Sequence, residues 1–205
     1  MRVFGGKDSI ERSQEQTLIA RFWSDFSYTE TPVGHWNSIT RVLLKSTAHT
    51  GPEVARLLCQ LNVALCDCAI ACWDTKFHYE FWRPITAIHR ADEDDNPFTE
   101  PVPAWTPLLH TPNHPEYVSG HSTFSGAALE ILTGFFQTEN IPFEISNDTM
   151  PDVTRKFKTL RDCAAECGES RIWGGIHYRF SCDDGLELGI QVAKWTRERF
   201  SLLQK

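Results

Sequence analysis

The sequence predicts an all-α fold, a helical bundle forming one domain over residues 1–205, and three observations carry that expectation. Apolar residues recur at helical spacing along most of the chain, while no stretch of note alternates as a strand would. The prolines cluster, with six between Pro97 and Pro115, so they punctuate one region and leave the rest free to form helices. With 41 % hydrophobic and 12 % aromatic residues, a chain of 205 residues can bury a sizeable core.

The first helix is expected in SQEQTLIARFWSDF, Ser13 to Phe26, where Ser13 and Gln16 form a capping box and Leu18, Ile19, Phe22, Trp23 and Phe26 make one apolar stripe. HWNSITRVLLKSTAH continues the pattern. The next helix opens with Pro52 in its first turn and runs to Trp82, before Pro84 ends or kinks it. The segment from Arg90 to Tyr117 reads as a long loop, with an acidic cluster at Asp92–Asp95; rigid loops of this length usually serve function. STFSGAALEILTGFF, PDVTRKFKTLRDCAAECGES and DDGLELGIQVAKWTRERFSLL complete a bundle of about six helices.

The composition excludes some partners. A formal charge of −7 argues against a nucleic-acid footprint, so any anion site has to be a local positive pocket. No run approaches eighteen uninterrupted apolar residues, and the opening MRVFGGKDSIERSQEQ lacks the features of a signal peptide, so no membrane partner is expected and the compartment stays open. Of the seven cysteines, Cys59, Cys66, Cys68 and Cys72 lie in one Ala- and Leu-rich helix and are expected to be buried thiols, which mildly favours a reducing compartment.

Three stretches point to one anion. In KFHYEFWRPITAIHR, Lys76 and Arg83 would lie within about 20° of each other on a continuous helix, two turns apart. A solvated basic edge paired with Glu80 is the plainer reading of the same residues. In HPEYVSGHSTFSG, Ser119-Gly120-His121 falls where a loop enters a helix, so free backbone N–H groups, a hydroxyl and an imidazole meet there; Ser119 or Ser122 serving only as an N-cap is the alternative. In ESRIWGGIHYRFSCDDG, Arg171 and His177 share a ligand only if the backbone turns between them, and Gly174-Gly175 can supply that turn.

In order, K-x6-R-P, S-G-H and S-R-x5-H resemble the three-part signature of the vanadium-dependent haloperoxidases, within the superfamily that includes the type 2 phosphatidic acid phosphatases. The resemblance implies an all-helical scaffold for orthovanadate. Lys76, Arg83 and Arg171 would hold its oxygens, Ser119 and the Gly120 N–H would add donors, His177 would be the axial ligand to vanadium, and His121 the acid–base group. Lys76 would polarise hydrogen peroxide, and halide would leave as hypohalous acid, with a small organic acceptor as a further partner and homo-oligomer formation left open. His114 stands where the resemblance favours bromide or iodide. Many relatives carry a further helical region upstream, which this chain is expected to lack.

Two positions depart from the pattern. The usual continuation H-x3-D is broken by Ser181, so support for His177 is expected from Asp183, from Ser181, or from neither. Val118 replaces the more usual proline and is expected to loosen its loop. Because phosphate and vanadate are near-isosteric, a soluble acid phosphatase working through a phosphohistidine at His177 is the competing function, and a non-catalytic bundle retaining the pocket is a third. A zinc pair at His110 and His114 is disfavoured by Pro112.

Overall fold

A computed structural model describes residues 1–26 and 28–202. Among the described residues the six long helices are α2 (Gln14–Phe22), α3 (Thr31–Leu44), α4 (Gly51–Tyr79), α6 (Gly120–Phe136), α7 (Leu160–Trp173) and α8 (Arg179–Leu202); α1 (Arg2–Gly5) and α5 (Pro84–His89) are short. The capping box of α2 forms as expected: Ser13 Oγ accepts from the Gln16 amide at 3.1 Å, and Gln16 Oε1 accepts from the Ser13 amide at 2.9 Å. That helix stops at Phe22, four residues before the expected end, which leaves Trp23 to Phe26 in a turn facing the site.

The expectation of no strands is corrected by a small hairpin, β1 (Phe143–Ile145) paired antiparallel with β2 (Arg155–Phe157) in the register Phe143 to Phe157. Three residues are too few for a period of two to show in a sequence. Phe143, Ile145 and Phe157 point inward and extend the core.

Helix α6 packs against α4, α7 and α8, and the core around it is filled by Trp36, Leu57, Leu61, Leu65, Ile131 and Leu132. Contact between α6 and α8 is backbone-close: a Cβ on Gly189 would stand 2.0 Å from Thr123 O. Burying side chains on this scale is the main drive for the fold, at roughly 1.5–3 kcal/mol for each large apolar side chain.

Helix α4 does not reach Trp82. It ends at Tyr79, with Glu80 left-handed at φ +47°, and α5 begins at Pro84 with Arg83 as its N-cap residue. Two of its cysteines, Cys59 and Cys66, are exposed, contrary to expectation, whereas Cys68 and Cys72 are buried. Val63, Ile70 and Phe77 are exposed on it as well, and the region Gly51–His89 is long and apolar enough, by length and composition, to cross a membrane, a property that core helices share.

The Pro-rich loop is pinned by the N-terminal arm. Trp105 Nε1 donates to Arg2 O at 2.9 Å, the Leu108 amide to Gly5 O at 2.9 Å, and the Leu109 amide to Gly174 O at 2.9 Å. Arg12, buried, donates to Phe4 O at 2.5 Å and Gly6 O at 2.7 Å, which fixes the arm itself. The loop, the arm and the turn after α7 therefore form one unit beside the site.

Candidate active site

A cavity of about 530 Å³ opens between the turn after α2, the Pro-rich loop, the start of α6 and the end of α7; Asp25, His114, Gly120, His121, Arg171 and His177 are on its wall. Trp73, Phe124 and Phe26 supply apolar surface to the same space.

Gly120 and His121 occupy the first two positions of α6, where backbone amides have no partner within the helix and the helix dipole favours negative charge. Ser119 is the N-cap of α6 and is fully buried: its Oγ lies 3.4 Å from the Ser122 amide and 3.2 Å from Ser122 Oγ. The capping role that the sequence left open is thus filled by Ser119.

Arg171 sits in the last turn of α7, and the chain then reverses through Gly174 and Gly175. Gly175 has φ +77°, a region that favours glycine, and a Cβ there would stand 2.2 Å from Gly5 O. This is the turn that the sequence required, and it brings His177 to the same cavity as Arg171. Arg171 donates through Nη1 to Trp23 O, while its buried Nε has no partner among the described residues.

Lys76 and Arg83 meet by another route than the shared helix face. With the helix broken at Glu80, both cations clamp one strap of loop, residues 114–118. Lys76 is fully buried and donates to Pro115 O at 3.1 Å, Glu116 O at 2.8 Å and Val118 O at 2.5 Å, so the solvated edge does not describe it. Arg83 donates through Nε to His114 O at 3.0 Å, through Nη2 to His114 Nδ1 at 3.1 Å, and through Nη1 to Ile176 O at 2.8 Å and His177 Nε2 at 3.1 Å. Arg83 thus touches both cavity imidazoles that flank it, whereas Lys76 and Ser119 lie one layer deeper. Val118 is buried and its carbonyl is held by Lys76, so the strap is tied at the position where proline is absent.

Asp183 is exposed on α8, where it acts on Arg179, and it does not reach His177. Ser181 Oγ is 3.5 Å from His177 Nδ1. The near contact is with Glu116, whose Oε1 is 2.7 Å from His177 Nδ1 and accepts from the Tyr178 amide at 3.0 Å.

Charge completes the picture. Three buried cations, Lys76, Arg83 and Arg171, face two buried carboxylates, Asp25 and Glu116. Burial pulls Lys76 down to about 8 and Arg83 down to about 10, with Arg83 adding to the effect on Lys76 and Arg171 adding to that on Arg83. His177 is held well below its ordinary value by burial and then by Arg83, Lys76 and Arg171. His121 is pushed to about 4 by burial and Arg171, against the opposing pull of Asp25. Cations depressed by their own desolvation and mutual repulsion are stabilised when an anion arrives among them. The unpartnered Arg171 Nε, the free amides opening α6 and this excess of positive charge fit a tetrahedral oxyanion.

Residues 56–204 match the family described as VCPO second helical-bundle domain. The chain belongs to the vanadium haloperoxidase family. It is 29 % identical to the vanadium chloroperoxidase of Curvularia inaequalis over 84 % of this chain and 37 % of that protein, and 33 % identical to the vanadium-dependent bromoperoxidase of Corallina pilulifera over 45 % of this chain. The crystal structure of a bacterial vanadium-dependent iodoperoxidase superposes with a TM-score of 0.78 at 34 % identity, covering 90 % of this chain and 44 % of that one. A bacterial vanadium-dependent chloroperoxidase, 20 % identical with a TM-score of 0.70, shares the fold. The haloperoxidase helical bundle is therefore shown, and this chain spans less than half the length of these relatives.

Three residues of the site escaped the sequence reading. Asp25 Oδ1 lies 3.2 Å from His35 Nδ1 and its Oδ2 lies 3.6 Å from His121 Nε2; His35, which carried no argument from sequence, stacks on Trp23 at 4.6 Å. Burial alone would raise the Asp25 carboxyl, but His121 and His35 hold it well below the usual range. No spacing rule links Asp25 to His121. Glu116 had a fainter signal, as the one acid in HPEYVSGH, three residues before the serine of the motif.

Proposed function

We propose that the chain is the catalytic bundle of a vanadate-dependent haloperoxidase that oxidises halide with hydrogen peroxide to hypohalous acid, bromide or iodide being favoured. The observation that carries this reading is the convergence of Arg171, with its unpartnered Nε, His177, His121 and the Gly120 amide on one cavity backed by Arg83 and Lys76. Vanadate, when bound, supplies a Lewis-acid centre that activates peroxide toward nucleophilic attack by halide.

The chain's own groups would do the rest. Arg171 would offer donors to oxygens from its planar guanidinium, Arg83 would add positive charge from behind His114 and His177, and the amide of Gly120 would add a backbone N–H. Lys76 contributes charge from beneath the strap, and Ser119 fixes the start of α6 as its N-cap. His177 presents Nε2, and Arg83 Nη1 already marks that nitrogen as an acceptor. His121 is neutral near pH 7 and can take a proton, and Asp25, 3.6 Å from its Nε2, would stabilise the resulting charge. His114, which lies between Arg83 and the Trp73 ring at 5.2 Å, would act on the halide in this reading. The similarity to a bacterial iodoperoxidase at 34 % identity supports the heavier halides.

The test is direct. Protein with and without vanadate is assayed for peroxide-dependent bromination and iodination and for phosphate-ester hydrolysis. Halogenation that requires vanadate and disappears in His177→Ala is expected. Hydrolysis that vanadate inhibits, without halogenation, would transfer the site to phosphatase chemistry, and neither activity would leave a binding bundle.

A further inference from the structure

We propose that Glu116 is the positioning residue for His177, replacing the carboxylate that Ser181 lacks: it accepts a hydrogen bond from Nδ1–H and so keeps Nε2 as the bare, accepting nitrogen of the ring. Two contacts on opposite sides of the ring define this state. A guanidinium can only donate, so His177 Nε2, 3.1 Å from Arg83 Nη1, is the acceptor nitrogen. A neutral imidazole then carries its proton on Nδ1, and Nδ1 lies 2.7 Å from Glu116 Oε1. The same oxygen accepts from the Tyr178 amide, so it faces two donors whether or not the carboxyl carries a proton on its other oxygen.

Glu116 is itself held rigidly. Its amide donates to Phe81 O at 3.0 Å, its carbonyl accepts from Lys76 Nζ at 2.8 Å, and its side chain is fully buried. Tyr117, next in the strap, donates to Asp184 Oδ2 at 3.0 Å and ties the strap to α8. Ser181 Oγ, at 3.5 Å from Nδ1, is at the margin of hydrogen bonding, and Asp183 points elsewhere. The carboxylate that orients His177 has thus moved from the helix after the histidine to the strap before the S-G-H motif. A partner of this kind fixes ring orientation and ligand basicity, and its loss typically costs about 10–100-fold in affinity.

The role rests on His177 being the group that meets the oxyanion, and the experiment separates the two claims. Nitrogen-15 NMR of the histidine rings in vanadate-free protein is expected to show His177 protonated at Nδ1 and bare at Nε2. Glu116→Gln should mix the two ring forms and weaken vanadate binding, measured by calorimetry, by about 10-fold or more. Glu116→Ala with Ser181→Asp should recover both the Nδ1-protonated spectrum and most of the affinity, which a purely structural loss would not do. A wild-type ring protonated at Nε2, a Glu116→Gln spectrum identical to wild type, or a double variant no better than Glu116→Ala would each overturn the proposal. If Glu116→Gln does not fold, the wild-type spectrum and the double variant still decide. Vanadate affinity unchanged in His177→Ala would sink the haloperoxidase reading while leaving the NMR result on Glu116 intact.

Discussion

Asp25 Oδ2 stands 3.6 Å from His121 Nε2, and neither buried atom has a hydrogen-bond partner among the described residues. The pair is poised: close enough for Asp25 to favour the imidazolium, too far to hold a neutral ring by a hydrogen bond. Asp25→Asn removes that pull, so His121 should titrate below its present value of about 4. An NMR titration of the His121 ring reads this directly. An unchanged or higher midpoint would show that Asp25 does not act on His121. Halide oxidation should fall in the same variant, because the proton acceptor becomes a poorer base.

Stability should decline on the acid side of neutrality. Burial lowers both His114 and His121 to about 4, helped by Lys76 at the first and Arg171 at the second. Between pH 6.5 and 4 the unfolded chain therefore binds protons that the native protein refuses, so stability is complete above that window and is lost as pH falls through it. For the buried His121 the slope is up to about 1.4 kcal/mol per pH unit, and solvent screening makes the contribution of the more exposed His114 smaller. Urea midpoints at pH 7 and pH 5 measure the effect, and equal midpoints would refute it.

Lys76→Met should destabilise the fold even though methionine fills much of the same space. The substitution removes the ammonium donor from three carbonyls: Glu116 O and Val118 O, which are buried, the latter keeping only a weak contact from the Cys72 thiol at 3.7 Å, and Pro115 O, which is part-buried. Unsatisfied buried groups cost about 1–3 kcal/mol each, partly offset here by removing a desolvated charge, so a net loss of about 3 kcal/mol is expected. Chemical denaturation gives the number, and a variant as stable as wild type would mean that the strap does not depend on the ammonium.

Gly175→Ala tests the turn that joins Arg171 to His177. The residue would have to adopt φ +77° and its Cβ would overlap Gly5 O, so a cost of about 1–3 kcal/mol is expected together with release of the N-terminal arm. Limited proteolysis near Gly5 should accelerate. Unaltered cleavage would indicate that the arm is held from elsewhere.

Much of this was legible in the sequence because helices announce themselves locally. The Ser13 and Gln16 cap, Pro52 in the first turn of α4 and the Gly174-Gly175 reversal are short-range chemistry, and each stands where it was read. The convergence of Lys76 and Arg83 was anticipated for an incorrect reason: a left-handed residue at Glu80 breaks the helix, and what unites the two cations is a strap that folds back between them. Asp25 and Glu116 escaped because the histidines they face, His121 and His177, lie far along the chain, and His35 because no spacing rule links it to Asp25 ten residues earlier. A buried carboxylate is chosen by the three-dimensional surroundings that compensate it, and sequence spacing holds no record of that. The hairpin at Phe143 and Phe157 escaped for the opposite reason, being too short to establish a rhythm.

Since Asp25, Lys76, Gly120, Arg171 and His177 come from remote parts of the chain, the pocket vanishes when the protein unfolds. Any tetrahedral oxyanion that occupies it selects the folded population and raises the melting temperature, by about 2.7 kcal/mol of added stability at a hundredfold excess over its Kd. Inorganic phosphate in an ordinary buffer would then work as a folding ligand, and the protein purified in it would be a sturdier species than the same protein in a buffer without oxyanions.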